Sequence, residues 1–135
     1  MKILSLNCRG LGQPEAVREV RSFCQLHCPA VVFLSETRYF DNRVDGLVRS
    51  LGMEGGLGVG SLGRGGGLAL LWSREVDVNL ESYDKLHIDV TVRLATNTSV
   101  AWRFTGFYGC WRLPTSPAMT PADANLGWQY FMNHE

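Results

Sequence analysis

Residues 2–34 read KILSLNCRGLGQPEAVREVRSFCQLHCPAVVFL, and this stretch decides the fold. Its first six residues form a short apolar strand, closed by the turn formers Arg9-Gly10-Leu11-Gly12. Pro14 suits a first helical position and Glu15 favours the positive end of the helix. Ala16, Val17, Val20, Phe23, Cys24 and His27 recur at helical spacing, with Arg18, Arg21, Ser22 and Gln25 on the other side. On that stripe His27 is expected as a hydrogen-bonded core histidine. Pro29 stops the helix, and Ala30–Leu34 is a continuous apolar run, as a strand buried on both faces requires. Strand, helix, strand at this spacing is a βαβ unit with parallel strands.

Outward from this unit, Asp41 or Asn42 can cap a second helix whose Val44, Leu47, Val48 and Leu51 face inward before Gly52 ends it. Residues 52–67 hold nine glycines in sixteen positions and read as a mobile loop. The period then changes from helical to two. Leu68–Trp72 is an apolar strand. Val76, Val78 and Leu80 alternate, as do Leu86, Ile88, Val90, Val92 and Leu94, and then Val100, Trp102 and Phe104. This pattern predicts an antiparallel meander with one apolar face. From Cys110 onward three prolines and the lack of any period predict a divergent, poorly ordered tail over 110–135. The meander's apolar face then lacks a partner sheet, so self-association through it is expected.

A chain of 135 residues gives one domain, with ordinary apolar content (45%). Thirteen basic and thirteen acidic side chains cancel, which excludes binding to nucleic acid by bulk charge. No apolar run is long enough to span a bilayer, and Asn7 and Arg9 interrupt the N-terminal one, which argues against a signal peptide. An intracellular protein, nuclear or cytoplasmic, with reduced cysteines is therefore expected. Cys24, His27 and Cys28 lack the second pair of ligands that a structural zinc site needs. Gly58-x-Gly60-x-x-Gly63 matches a dinucleotide fingerprint as text, but it precedes a strand where the fingerprint needs a helix. Ser61 lacks the glycine two positions earlier that a nucleophile elbow needs.

The polar residues at strand ends are more informative. Asn7 ends the first strand, Glu36 follows the second, and Tyr108 ends the last. Parallel strands bring Asn7 and Glu36 to the carboxyl edge, where α/β sheets bind ligands. A carboxylate, an amide and a phenol there suit a hard cation and a phosphate.

Four blocks in order, ILSLNCRGLG, VVFLSETR, GGGLALLW and WRFTGFYG, resemble the endonuclease/exonuclease/phosphatase superfamily. Within it they are most similar to the endonuclease domain of plant LINE-type retrotransposon polyproteins. The resemblance covers residues 1–109 and implies an incomplete two-sheet α/β (α+β) sandwich that hydrolyses phosphodiesters, here DNA, with Mg²⁺ or Mn²⁺. It implies that Glu36 binds the metal, that Asn7 helps hold metal, phosphate and attacking group, and that Tyr108 contacts the phosphate. Arg9 stands where some relatives carry an acid, and Cys110-Trp111 replaces the subgroup's His-Pro after Phe-Tyr-Gly. The family's Gly-Asp-x-Asn and Ser-Asp-His elements have no counterpart here. Asp123-Ala124-Asn125 lacks the apolar strand before it, and His134 lacks an adjacent aspartate. The expectation is a weak metal site without turnover. The alternatives are a non-catalytic retroelement-derived interaction module, or a phosphatase acting on a small or lipid phosphate.

Overall fold

The computed structural model describes residues 1–39, 44–60 and 66–108, and the backbone of 128–132. Eight strands and two helices follow in the order β1 (Ile3–Asn7), α1 (Pro14–His27), β2 (Val31–Ser35), α2 (Val44–Ser50), β3 (Gly55–Val59), β4 (Leu68–Trp72), β5 (Val76–Tyr83), β6 (His87–Leu94), β7 (Asn97–Phe107) and β8 (Trp128–Met132). They form a mixed α+β structure of two sheets. One has the order β1-β2-β4-β3-β8 and the other is the meander β5-β6-β7. The opening unit follows the sequence pattern: β1 and β2 are parallel, with Ile3 opposite Val31 and Asn7 opposite Ser35. Pro14 opens α1, and Cys28 closes it in a left-handed conformation.

The first sheet is covered on both faces. Val32 and Leu34 of β2 and Ala69 and Leu71 of β4 pack with Val20 and Cys24 of α1 and Val44, Leu47 and Val48 of α2. Val31, Phe33, Leu57, Leu70 and Trp72 point the other way, onto Val76, Val78, Ile88, Val90 and Val92 of the meander. The order is helices, sheet, sheet, with two apolar layers between.

Four expectations are corrected by this arrangement. The glycine-rich stretch is not all loop, because Gly55–Val59 is a buried strand. A Cβ on Gly55 would lie 2.6 Å from the Trp72 ring, and one on Gly56 would lie 2.8 Å from Val48, so missing side chains are what let β3 close against its neighbours. The meander face is not bare, because Ile88, Val90 and Val92 are completely buried under the first sheet. Leu68–Trp72 supplies that cover: β4 pairs antiparallel with β2 and β3 instead of joining the meander. Self-association through an uncovered face thus loses its premise. Third, His27 is exposed rather than in the core, stacked on Phe23 with ring centroids 6.4 Å apart. Val20 and Cys24 are the α1 residues that reach the sheet fully. Fourth, the backbone of 128–132 adds an edge strand against β3, with Val59 opposite Trp128, so the first sheet draws on chain beyond residue 109.

The capping residues Asp41 and Asn42, the remainder of 110–135 (Asp123, Asn125 and His134 among them) and residues 61–65 lie outside the described residues. No helix among the described residues is long and apolar enough to cross a membrane.

Candidate functional site

The carboxyl edge of β1 and β2 is built by a hydrogen-bond ladder that continues past the strand ends. The N–H groups of Cys8, Gly10 and Leu11 donate to the carbonyls of Ser35, Glu36 and Thr37 at 2.7–3.0 Å. On the other side, Thr37 and Arg38 donate to the carbonyls of Gly67 and Gly66 at 3.1 and 2.9 Å. The segment 36–38 is thereby clamped between the turn after β1 and the entry to β4. Its backbone is unusual, with Glu36 at φ 54° and Arg38 at φ 58°, and Arg9 facing them at φ 51°. Left-handed conformations at non-glycine residues cost on the order of 1–3 kcal/mol each and persist where surrounding bonds enforce them. Gly10, Gly66 and Gly67 are left-handed at the same edge.

Glu36 and Tyr108 meet here. The Tyr108 hydroxyl donates to Glu36 Oε1, joining residues that are 72 positions apart. Tyr108 is fixed at its other end by its N–H, which donates to the Leu86 carbonyl at 2.7 Å. The hydrogen bond to Glu36 holds the phenol above its ordinary pKa; desolvation and the carboxylate charge add to this, and Arg38 opposes it. The phenol is therefore a neutral donor at physiological pH. Cys8 lies close by, its thiol pushed up to about 12 by burial and secondarily by Glu36.

Asn7 stands on the adjacent strand end, opposite Ser35. Its side chain is not joined to the Glu36–Tyr108 pair, because Asn7 Oδ1 accepts the Arg9 N–H at 3.1 Å in a local turn. Two neighbours escaped the sequence reading. Arg38 lays its side chain along Gly10, where a Cβ would come within 3.1 Å of Arg38 Cδ, and brings positive charge towards Tyr108. Cys8 is the second. The signal for Arg38 was its place two residues after Glu36, on the same clamped segment.

The oxygen donors at the edge are the Glu36 carboxylate, of which Oε1 takes the phenol, and the Asn7 amide. That chemistry suits a hard cation that keeps most of its water. Among the described residues no cluster of three or more His, Cys, Asp or Glu side chains surrounds such an ion. Fold and edge together define an α+β two-sheet protein with a carboxylate–phenol pair at the end of its parallel strands. No family model and no curated protein matches the chain.

Proposed function

We propose that this edge is the metal- and phosphate-binding half of a phosphodiester hydrolase site of the endonuclease/exonuclease/phosphatase type, directed at DNA. The observation that carries the reading is the Tyr108–Glu36 hydrogen bond, which joins two residues that the resemblance assigns to one site. Glu36 would hold Mg²⁺ or Mn²⁺ through its carboxylate, with Asn7 as a further oxygen donor. Bound there, the ion offsets charge on the phosphate oxygens. Tyr108, kept protonated, donates to a non-bridging oxygen once a phosphate competes for its hydroxyl. Arg38 adds a positive charge at the rim.

Turnover needs a group to take the proton of the attacking water, and among the described residues neither histidine hydrogen-bonds to Glu36 or Tyr108. His27 ends α1 at the opposite end of β2, and His87 opens β6 among the outward-facing residues of the meander. These 135 residues are therefore proposed to bind without cleaving, which agrees with the lack of a Ser-Asp-His element. Losing positioned acid–base chemistry removes a factor of roughly 10² to 10⁴.

Calorimetric titration with MgCl₂ tests the metal reading. The expected result is weak, millimolar-range binding that Glu36→Gln abolishes, and binding indifferent to that substitution overturns the assignment. Incubation with supercoiled and abasic DNA tests the rest. Metal-dependent nicking above a Glu36→Ala control would show that the chain is an active enzyme.

A further inference from the structure

A second chain of hydrogen bonds lies on the meander face turned away from the core, and the proposed phosphodiesterase edge does not use it. His87 Nδ1 is 2.8 Å from Asp84 Oδ1. The other ring nitrogen, His87 Nε2, is 3.2 Å from Ser82 Oγ. A carboxylate only accepts, so the tautomer that satisfies Asp84 donates from Nδ1 and leaves the Nε2 lone pair for the serine hydroxyl. This is the tautomer that can take a proton from a nucleophile, and the third group fixes it.

The serine is aimed by an irregularity in the strand. Val76 and Val78 point into the core, and strict alternation would send Ser82 there too. The register shifts between Leu80 and Ser82, so that Ser82 pairs with Asp89 and Tyr83 with Ile88. Tyr83 and Ile88 are buried, whereas Ser82 is left half-buried beside His87. Bulges that re-aim a side chain in this way recur next to active sites.

The surroundings supply an apolar strip and a committed counter-charge. Phe107 is 67% exposed, its ring centroid 6.0 Å from that of His87, and Leu86 is 47% exposed. Asp89, the other carboxylate facing His87, is already engaged by Arg103 at 2.6 and 3.0 Å and by Thr105 at 3.0 Å.

We propose that Ser82, His87 and Asp84 form a nucleophilic serine site that is acylated by activated esters bearing apolar acyl groups, which lie against Phe107. Ser82 Oγ attacks the carbonyl carbon while its proton passes to His87 Nε2. The bond to the leaving group breaks, and the departing oxygen takes that proton. A water molecule then repeats the sequence on acyl-Ser82, releasing the carboxylic acid. Asp84 holds the imidazolium through both halves. Activated esters are the fitting class because their leaving groups depart with little assistance. The site uses none of Asn7, Glu36 and Tyr108 and no metal, so labelling of Ser82 is read independently of metal binding at Glu36; Leu86 borders both, since its carbonyl anchors the Tyr108 N–H.

The test is an alkyl fluorophosphonate on the intact chain without added metal, read by peptide mass spectrometry. Ser82 Oγ displaces fluoride at phosphorus, and its proton leaves with the fluoride by way of His87. The expected result is one adduct on Ser82 that is absent in Ser82→Ala and His87→Gln. Asp84→Asn separates catalysis from architecture. Its Oδ1 still accepts the Leu86 and His87 N–H groups, which Asp84 binds at 2.7 and 2.8 Å, while the charge that sets the tautomer is gone. Labelling slowed by about tenfold or more, at an unchanged unfolding midpoint, is expected. No Ser82 adduct on the wild type, equal labelling of His87→Gln, or an Asp84→Asn rate equal to wild type would each overturn the proposal. If a variant shifts the midpoint, the wild-type adduct map decides alone.

Discussion

Replacing Gly106 by alanine should destabilise this protein, although the same change raises stability at most accommodating glycine positions. Gly106 is buried in β7 opposite Ile88, and a Cβ built on it would lie 2.4 Å from Phe33 Cε2 and 2.5 Å from Cδ2. Ordinary contact begins near 3.4 Å, so the ring must retreat by 3.4 − 2.4, about 1 Å. Phe33 is enclosed, 3% exposed, and set edge-on to Phe104 at 6.2 Å, so it has nowhere to go without parting the two sheets. Overpacking of this kind costs about 1–3 kcal/mol. Alanine returns roughly 0.4–1 kcal/mol by restricting the unfolded chain. The net is a loss of about 1–2 kcal/mol, or a fall in Tm of roughly 3–8 °C for a chain of this size. Gly46 is the internal control, since a Cβ there meets nothing within 4 Å and the residue lies in α2. Gly46→Ala should therefore stabilise by about 0.5–1 kcal/mol. Thermal and urea unfolding followed by circular dichroism read both signs at once. Two increases in Tm, or a neutral Gly106→Ala, would refute the close approach of the sheets at Phe33.

Three further outcomes are expected. With iodoacetamide the exposed Cys28 should react before Cys24 and Cys8, and Glu36→Gln should speed Cys8 by removing a charge that opposes its thiolate; mass-resolved alkylation kinetics read the order. The Arg103 hydrogen bond is the main cause that holds Asp89 below the usual carboxylate range. A depressed folded value means stability that is present above the unfolded carboxylate pKa and lost as pH falls through the folded one, so acid unfolding of Asp89→Asn should show a shallower pH dependence. Tyr108 has the opposite sign: its raised folded value gives stability present below the ordinary phenol range and lost as pH climbs through it. Ultraviolet titration should show a late-ionising tyrosine that vanishes in Tyr108→Phe and ionises earlier in Glu36→Gln.

What was legible in the sequence followed from periodicity and from turn chemistry. The helical recurrence of Val20 and Cys24, bracketed by Pro14 and Pro29, marks α1, and the unbroken apolar run Ala30–Leu34 marks a strand covered on both faces, observed as Val31–Ser35. Those two facts also place Asn7 and Glu36 at one edge. The strand Gly55–Val59 could not be read in this way, because glycines leave no apolar side chains to count. Its burial is created by Val44, Val48 and Trp72, which fill the space from neighbouring elements. The pairing of β4 with β2 was equally hidden, since alternation shows which residues face inward but not which sheet receives them. His27 shows the converse limit: a residue can sit on a helical stripe and still lie past the end of the surface that the helix covers. At the site, the Arg9 turn is held locally by Asn7 Oδ1, but the left-handed Glu36 and Arg38 lie in a segment clamped by Gly10, Leu11, Gly66 and Gly67 from distant parts of the chain, so no local signal announces them.

The antiparallel pairing of β3 with β8 bears on the order in which the chain can assemble. The βαβ unit and the meander close over short sequence distances and can form early. Val59 and Trp128 are partners 69 residues apart, so that ladder must wait for a large loop to close. Until it does, β3 offers one row of unpaired N–H and C=O groups, on a strand whose glycines give little steric defence against a foreign strand. The period between early collapse and the arrival of β8 is thus when the chain is most open to mispairing.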